Sequence, residues 1–203
     1  DATAPKDITV PIGESMPGQA TTNASFGGNL DARAAVGDTQ VSTIDVYDSL
    51  GEQHTLTIEF SRNDAGGDPA NSWSWNVQGA DWSGDGQVSF TDQGVYASQT
   101  VNNPITLDTP GGGAAGGQTI DVDFSQMTQS AADYTVDGLN SDGFEMGSLE
   151  TFNINSAGVV QGTYSNGRTQ DLAQISIASF SNPSGLKRTG DTLFTPTKNS
   201  GDA

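Results

Sequence analysis

Apolar residues alternate with polar ones along much of this chain, and no stretch repeats them at the spacing of a helix. The alternation is clearest in residues 43–48 and 54–60, where the apolar positions are Ile44, Val46, Leu56, Ile58 and Phe60. A period of two places successive side chains on opposite faces of a strand. Turn-forming residues 48–52 separate the two runs, so we predict a β-hairpin with one face in a core and one in water.

The same pattern continues to about residue 124. Further strand candidates carry alternating apolar residues, in chain order Trp73, Trp75 and Val77, then Val88 and Phe90, then Ile105 and Leu107, then Ile120, Val122 and Phe124. Clusters of Gly, Asn, Asp or Pro separate most of them, which is typical of a β-sandwich or β-barrel. The Gly-rich stretch 110–117 is interpreted as an exposed loop between strands.

A second β-region begins near Gly138. Its three strand candidates are marked by Phe152 and Ile154, then by Val159, Gly162 and Tyr164, then by Ile175, Ile177 and Phe180. Between the second and third, Asn166-Gly167 predicts a type I′ hairpin turn, because both residues tolerate a positive φ. We therefore expect a β-meander here and an all-β fold for the chain.

Charge and composition exclude several classes of function. The 203 residues include 25 acidic and 7 basic side chains, for a formal net charge of -18, with one histidine and no cysteine. Such a chain repels phosphate backbones and anionic lipids, so neither nucleic acid nor a membrane is an expected partner. A disulfide framework, a thiolate zinc site, a cysteine nucleophile and a multi-histidine metal site are excluded as well.

Two sets of motifs resemble the bacterial flagellar hook proteins. The first is similar to the family's YDSLG-x-x-H-x-L-x-x-x-F signature and consists of Tyr47-Asp48-Ser49-Leu50-Gly51, His54, Leu56 and Phe60. The second lies in residues 143–186 and includes Gly158-Val159, Gly162, Tyr164-Ser165-Asn166-Gly167, Asn182-Pro183 and Gly185-Leu186, with Phe144 in place of the family's usual Tyr. Ile8-Thr9-Val10-Pro11 and Phe124-Ser125-Gln126-Met127 extend the resemblance from about residue 8 to the end.

The resemblance implies a structural role in the curved tube that joins the flagellar motor to the filament as a universal joint. It also implies two β-domains, with an outer β-barrel or sandwich at 22–137 inserted in a smaller inner domain formed by 1–21 and 138–203. We expect the chain to be a fragment that lacks the family's helical terminal segments. The chain crossings near residues 20 and 138, flanked by Gly138 and Gly143, are the expected hinge.

The resemblance also implies particular partners and a location. The expected partners are copies of the chain itself in the hook tube and other flagellar axial proteins, meeting through polar surfaces that slide. The location is the extracellular hook, reached through the flagellar secretion apparatus without a cleaved signal peptide. No catalytic residue and no cofactor are assigned, and the isolated fragment is expected to be monomeric because the assembly helices are missing.

One segment matches the register of an EF-hand calcium loop. In residues 81–92, oxygen-bearing side chains stand at positions 1, 3, 5, 9 and 12, among them Asp81, Ser83, Asp85 and Asp92, and Gly stands at position 6. Position 12 is Asp rather than the longer Glu, and no flanking helices are evident. A solvated Gly/Asp turn leading into a strand at 87–90 is therefore the favoured interpretation.

The remaining chemical candidates also have structural explanations. Trp73 and Trp75 share one face of a predicted strand, where they form either a glycan-stacking platform or, as we favour, part of the core. His54 beside Glu52 lacks the partners of a general acid–base and is assigned to the hairpin. The acidic residues assigned to solvated faces are Asp45, Asp48, Glu52, Asp121 and Asp123. The alternative function is a secreted or surface β-sandwich module that binds calcium or a glycan.

Overall fold

The computed structural model describes residue 8, residues 13–63 and residues 71–201, and the predicted all-β fold is confirmed within them. The motif at 8–11 therefore lies mostly outside the described residues. The strands are β1 (Ser15–Met16), β2 (Asn23–Asp31), β3 (Thr39–Tyr47), β4 (Gln53–Arg62), β5 (Ser72–Gln78), β6 (Trp82–Phe90), β7 (Tyr96–Leu107), β8 (Gln118–Ser130), β9 (Asp137–Ser141), β10 (Gly147–Ile154), β11 (Val159–Tyr164), β12 (Thr169–Gln174), β13 (Lys187–Arg188) and β14 (Phe194–Thr195). The single helical element in these ranges is a 3-10 turn at Pro183–Gly185, and none of the described helices could cross a bilayer.

The chain folds as two compact units, divided between Glu14 and Ser15 and again between Ser148 and Leu149. Residues 15–148 form the large unit, and the described residues from 149 onward belong to the small unit. These boundaries differ from the predicted ones at 21/22 and 137/138. The reason is that β9 pairs with β2, which ties residues 137–141 to the large unit. The assignment of the units as outer and inner domains stays a prediction.

The large unit is an eight-stranded sheet that almost closes into a barrel. Its strand order is β3-β4-β5-β6-β7-β8-β2-β9, and every pair is antiparallel except β2 with β8. The two edge strands, β3 and β9, lie side by side. Gly138 permits this approach, since a Cβ built there would lie 2.5 Å from Ile44 Cβ. Ser141 Oγ donates to the Asp45 carbonyl at 3.0 Å and completes the seam.

Phe124 lies at the centre of the core of the large unit. Its ring centroid is 5.7 Å from that of Phe26, 5.5 Å from Phe60 and 5.6 Å from Trp75. These contacts join β8 to β2, β4 and β5 across the interior, and each buried aromatic side chain contributes about 1.5–3 kcal/mol by leaving water. The alternation predicted from the sequence is confirmed, because the apolar positions of β4, β6 and β8 are buried while their neighbours face outward.

A side chain replaces part of the β7–β8 backbone ladder. The two strands pair directly at Ile105–Leu107 with Gln118–Ile120. Further along, the Gln99 amide Nε2 donates to the Val122 carbonyl at 2.6 Å and its Oε1 accepts from the Phe124 N–H at 3.0 Å. Buried backbone groups need such partners, so Gln99 takes the place of the missing strand residue.

The small unit contains an antiparallel meander of β10 from Leu149 onward, β11 and β12, but its third strand is not the one predicted. β12 covers Thr169–Gln174, whereas residues 175–180 form no strand, so that prediction is wrong. Pairing begins directly after the turn, at Thr163 with Thr169, and ends where β11 begins, at Val159 with Gln174. The length of β11 therefore limits β12, and Ile177 is left 89% exposed.

The predicted type I′ turn at Asn166-Gly167 is also wrong. Gly167 has φ +76°, but Asn166 is not among the described residues with positive φ. The Gly167 N–H donates to the Tyr164 carbonyl, and the Tyr164 N–H donates to Arg168, each at 2.9 Å. This pattern is a three-residue loop ending in a left-handed Gly. The same hydrogen-bond pair recurs in the loops between residues 48 and 52, 91 and 95, and 155 and 159.

Substitutions in two of these turns can measure the cost of backbone strain apart from the cost of a steric collision. An added Cβ at Gly167 (φ +76°) meets nothing within 4 Å, whereas one at Gly94 (φ +74°) collides with the Gln129 carbonyl oxygen. We expect Gly167→Ala to cost about 1–2 kcal/mol from the left-handed backbone alone. Gly94→Ala should cost at least about 1 kcal/mol more, because the Gln129 backbone must also shift. Urea denaturation of both variants measures the difference, and equal losses would contradict this account.

Candidate functional site

The segment that matches a calcium-loop register forms a strand. Residues 82–90 are β6, paired with β5 and β7, so the strand begins well before the predicted Gln87. Its oxygen ligands have separate partners: Asp81 binds Thr109, Ser83 binds Asp108, Asp85 binds Asn102 and Asn103, and Asp92 binds Asn71. Among the described residues these carboxylates do not converge as a metal-ligand group. Residues 82–90 therefore form a strand rather than an EF-hand loop, close to the favoured turn-and-strand interpretation, and the absence of a metal site at 81–92 stays a prediction.

The tryptophan pair belongs to the core. Trp73 and Trp75 are 0% and 1% exposed, so neither indole presents a face on which a sugar could stack. The Arg62 guanidinium lies 5.8 Å from the Trp73 ring centroid, a cation–π contact that covers this part of the barrel. The core interpretation is confirmed, and a glycan platform at these residues is excluded.

Asp48 is fully buried, so its predicted place on a solvated face is wrong. Its Oδ1 accepts from the Leu50 N–H at 2.8 Å and from the Glu52 N–H at 2.9 Å, and its Oδ2 lies 3.3 Å from His54 Nε2. Burial by itself raises the pKa of Asp48. The Glu52 and Leu50 N–H donors and His54 outweigh burial, so the net pKa is lowered from its usual 3.8.

Asp48, Glu52 and His54 form the one group of three possible metal ligands found in the described residues, with their ligand atoms within 4.8 Å of one another. Both Asp48 oxygens already accept hydrogen bonds, and Glu52 is exposed. Asn155 performs the same task in another loop, where its Oδ1 accepts from the Ala157 and Val159 N–H groups at 3.0 and 3.1 Å. We therefore assign Asp48 and His54 to holding the hairpin turn, as expected for His54.

Asp142 is a hydrogen-bonded carboxylate that the sequence did not reveal as a candidate. Its Oδ1 accepts from the Thr22 and Asn23 N–H groups, and its Oδ2 accepts from the Thr22 hydroxyl and the Asn23 amide, at 2.6–2.9 Å. It lines a surface groove of about 270 Å³ with Asp121 and Asp123, both exposed as predicted. The local sequence Ser141-Asp142-Gly143 predicts only a turn. The hydrogen-bond partners of Asp142 lie about 120 residues away in the chain, where no local pattern points to them.

The sequence matches the family described as "Flagellar basal body protein FlaE D2 domain" over residues 17–144. The chain belongs to this FlaE D2 family. The matched range lies inside the large unit. The resemblance to the flagellar hook proteins that the sequence motifs indicated is confirmed.

Relatives of the FlaE D2 chain carry the name flagellar hook protein FlgE. The Treponema pallidum protein is 31% identical, with 98% of this chain and 53% of the relative covered. The Salmonella typhimurium protein is 30% identical, with 98% and 52% covered. The chain thus spans about half the length of these relatives.

A solved structure shows the same fold. The crystal structure of the Helicobacter pylori flagellar hook protein FlgE2 superposes with a TM-score of 0.52 at 22% identity, over 77% of this chain and 36% of that one. At this identity the likeness concerns the fold alone.

The charge on Asp48 can be tested apart from its shape. Asp48→Asn keeps the oxygen that accepts from Leu50 and Glu52, as Asn155 does in its own loop, but removes the charge. We expect the variant to lose about 1–2 kcal/mol of unfolding free energy at pH 7. A lowered carboxyl pKa stabilises the fold above the unfolded pKa, and this stability is lost as the pH falls, so the difference should shrink below about pH 4.

Urea denaturation at several pH values measures this difference. Asp121→Asn removes the same charge from an exposed position and serves as the control. A loss at Asp48 that stays constant down to pH 3 would show that the charge is not the cause.

Proposed function

We propose that the chain is part of a structural subunit of the bacterial flagellar hook, which transmits motor torque to the filament as a flexible joint. The observation that carries this proposal is the FlaE D2 match at 17–144, together with relatives named hook protein that align with almost the whole chain. The role is non-enzymatic. It needs neither a cofactor nor a catalytic residue, in keeping with the structural explanations found for Asp48, His54 and the tryptophans.

The two units correspond, in this proposal, to the outer and inner domains of the hook subunit. The large unit, 15–148, contains the matched family segment and would be the outer domain. The small unit would belong to the inner domain, into which the large unit is inserted. The discontinuous small unit supports this arrangement, since it contains chain from both sides of the large one.

Self-association through polar surfaces is the proposed mode of action. A tube that bends on each rotation needs contacts that move between arrangements of nearly equal energy, and hydrated polar surfaces allow this better than large apolar ones. The outward face of β8 is of this kind and presents Asp121, Asp123, Ser125, Gln126 and Thr128. The partners are copies of the subunit and other axial proteins.

The proposed location is outside the cell, after export by the flagellar apparatus without a cleaved signal peptide. The chain of 203 residues on its own is expected to be a monomer.

Antibodies raised against this chain should label the short curved segment between the cell envelope and the filament in immunogold electron micrographs of the source bacterium. A mutant that lacks the parent gene is the control. Labelling elsewhere on the cell, or none, would overturn the proposal.

Ionic strength should change the mechanics of such a tube. The formal net charge of -18 on each chain means that neighbouring subunits repel one another unless salt screens them. Screening lengths fall from about 30 Å at 0.01 M to about 3 Å at 1 M salt. We expect the bending stiffness or polymorphic form of isolated hooks, followed by electron microscopy, to change over this range. Identical curvature and stiffness throughout would contradict the role given to the acidic surface.

A further inference from the structure

The two segments by which the chain enters and leaves the large unit run antiparallel beside each other. We call these segments, 15–27 and 137–148, the stem. Ser15 pairs with Ser148 and Met16 with Gly147 at one end, and β2 pairs with β9 at the other. Between them, Gln19 and Phe144 exchange both backbone hydrogen bonds, at 2.9 and 3.0 Å.

The stem ladder is interrupted between Gln19 and Asn23. Thr21 directs its N–H to the Tyr47 carbonyl at 2.9 Å, so this N–H is not available to the opposite stem segment. The Asp142 side chain fills the interruption with its four hydrogen bonds to Thr22 and Asn23. The Gln19 side chain adds a bond from Nε2 to the Asp142 carbonyl at 3.2 Å.

Apolar burial contributes little at this point. Gln19, Thr22 and Asn23 are exposed, and the buried residues Thr21 and Gly143 are small, with the Gly143 Cα packed against Thr21. The stability of the stem here therefore depends on hydrogen bonds to a charged acceptor, which are roughly twice as strong as neutral ones. Burial raises the pKa of Asp142, but the Asn23 and Thr22 donors outweigh it and hold the pKa well below 3.8. The carboxylate is ionised at neutral pH.

We propose that the Asp142 carboxylate locks the stem. With the carboxylate in place, the chain crosses into and out of the large unit as a paired double strand. Without it, residues 15–22 and 142–148 of the stem separate locally, while the eight-stranded sheet, including the β2–β9 pair, stays folded. This inference rests on contacts within the large unit and does not depend on the hook assignment, so the two can fail separately.

Native-state hydrogen exchange on the 203-residue chain tests the lock. In Asp142→Asn, the amides of Gln19 and Phe144 should exchange about tenfold faster or more, because local opening becomes easier when a charged hydrogen-bond acceptor is lost. Amides of β4 and β8 should change much less. Thr22→Val removes the hydroxyl that donates to Asp142 and accepts from the Asn23 amide, and leaves the two backbone donors to Asp142 in place. It should give a smaller acceleration at the same stem amides, and it keeps the test open if Asp142→Asn does not fold.

Asp137→Asn is the matched control, since Asp137 lies on the stem and its side chain accepts from the adjacent Gly138 N–H. This variant should leave exchange at Gln19 and Phe144 unchanged. Equal acceleration in the stem and in the core would mean that Asp142 acts on the whole fold, and no acceleration at either stem amide would mean that it locks nothing. Either result overturns the proposal.

Discussion

The large unit depends on one constraint: a sheet with few apolar residues must bury one face completely. Hydrophobic residues make up only 33% of the chain, which is enough for a single interior but not for two covered faces. The sheet meets this constraint by curving around Phe124, which contacts aromatic rings from three other strands. The outer face can then be largely polar, with exposed apolar side chains limited to positions such as Val41, Val101 and Leu139.

Closure is achieved with side chains and glycine where the backbone ladder ends. Gly138 allows β9 to lie against Ile44, and Gln99 supplies two hydrogen bonds where β7 and β8 separate. Buried backbone groups are thereby satisfied without a perfect barrel. The edge strands are protected in the same way, since β3 and β9 cover each other rather than offering free edges to other chains.

The strand faces were predictable from the sequence because they follow from local alternation, as in β4 and β8. The end of β12 was not predictable, because it is set by the length of its partner and not by the apolar residues Ile175 and Ile177. Asp48 and Asp142 were misjudged or missed for a related reason. A carboxylate is expected in water because it is charged. Only the N–H groups that surround it in the fold, some from about 120 residues away in the chain, show that it is held by the protein instead.

The parallel pairing of β2 with β8 has a consequence for how the unit is made. β2, the first long strand of the unit, pairs with β8 and β9, for example Asn23 with Asp121. Its partners are therefore synthesised only when nearly the whole unit has been made. Such high contact order makes folding slow, since loop-closure entropy is lost before long-range pairs repay it. Strands β3 to β7 pair with their neighbours in sequence, whereas β2 can complete the sheet only once β8 and β9, the last strands of the unit, are available.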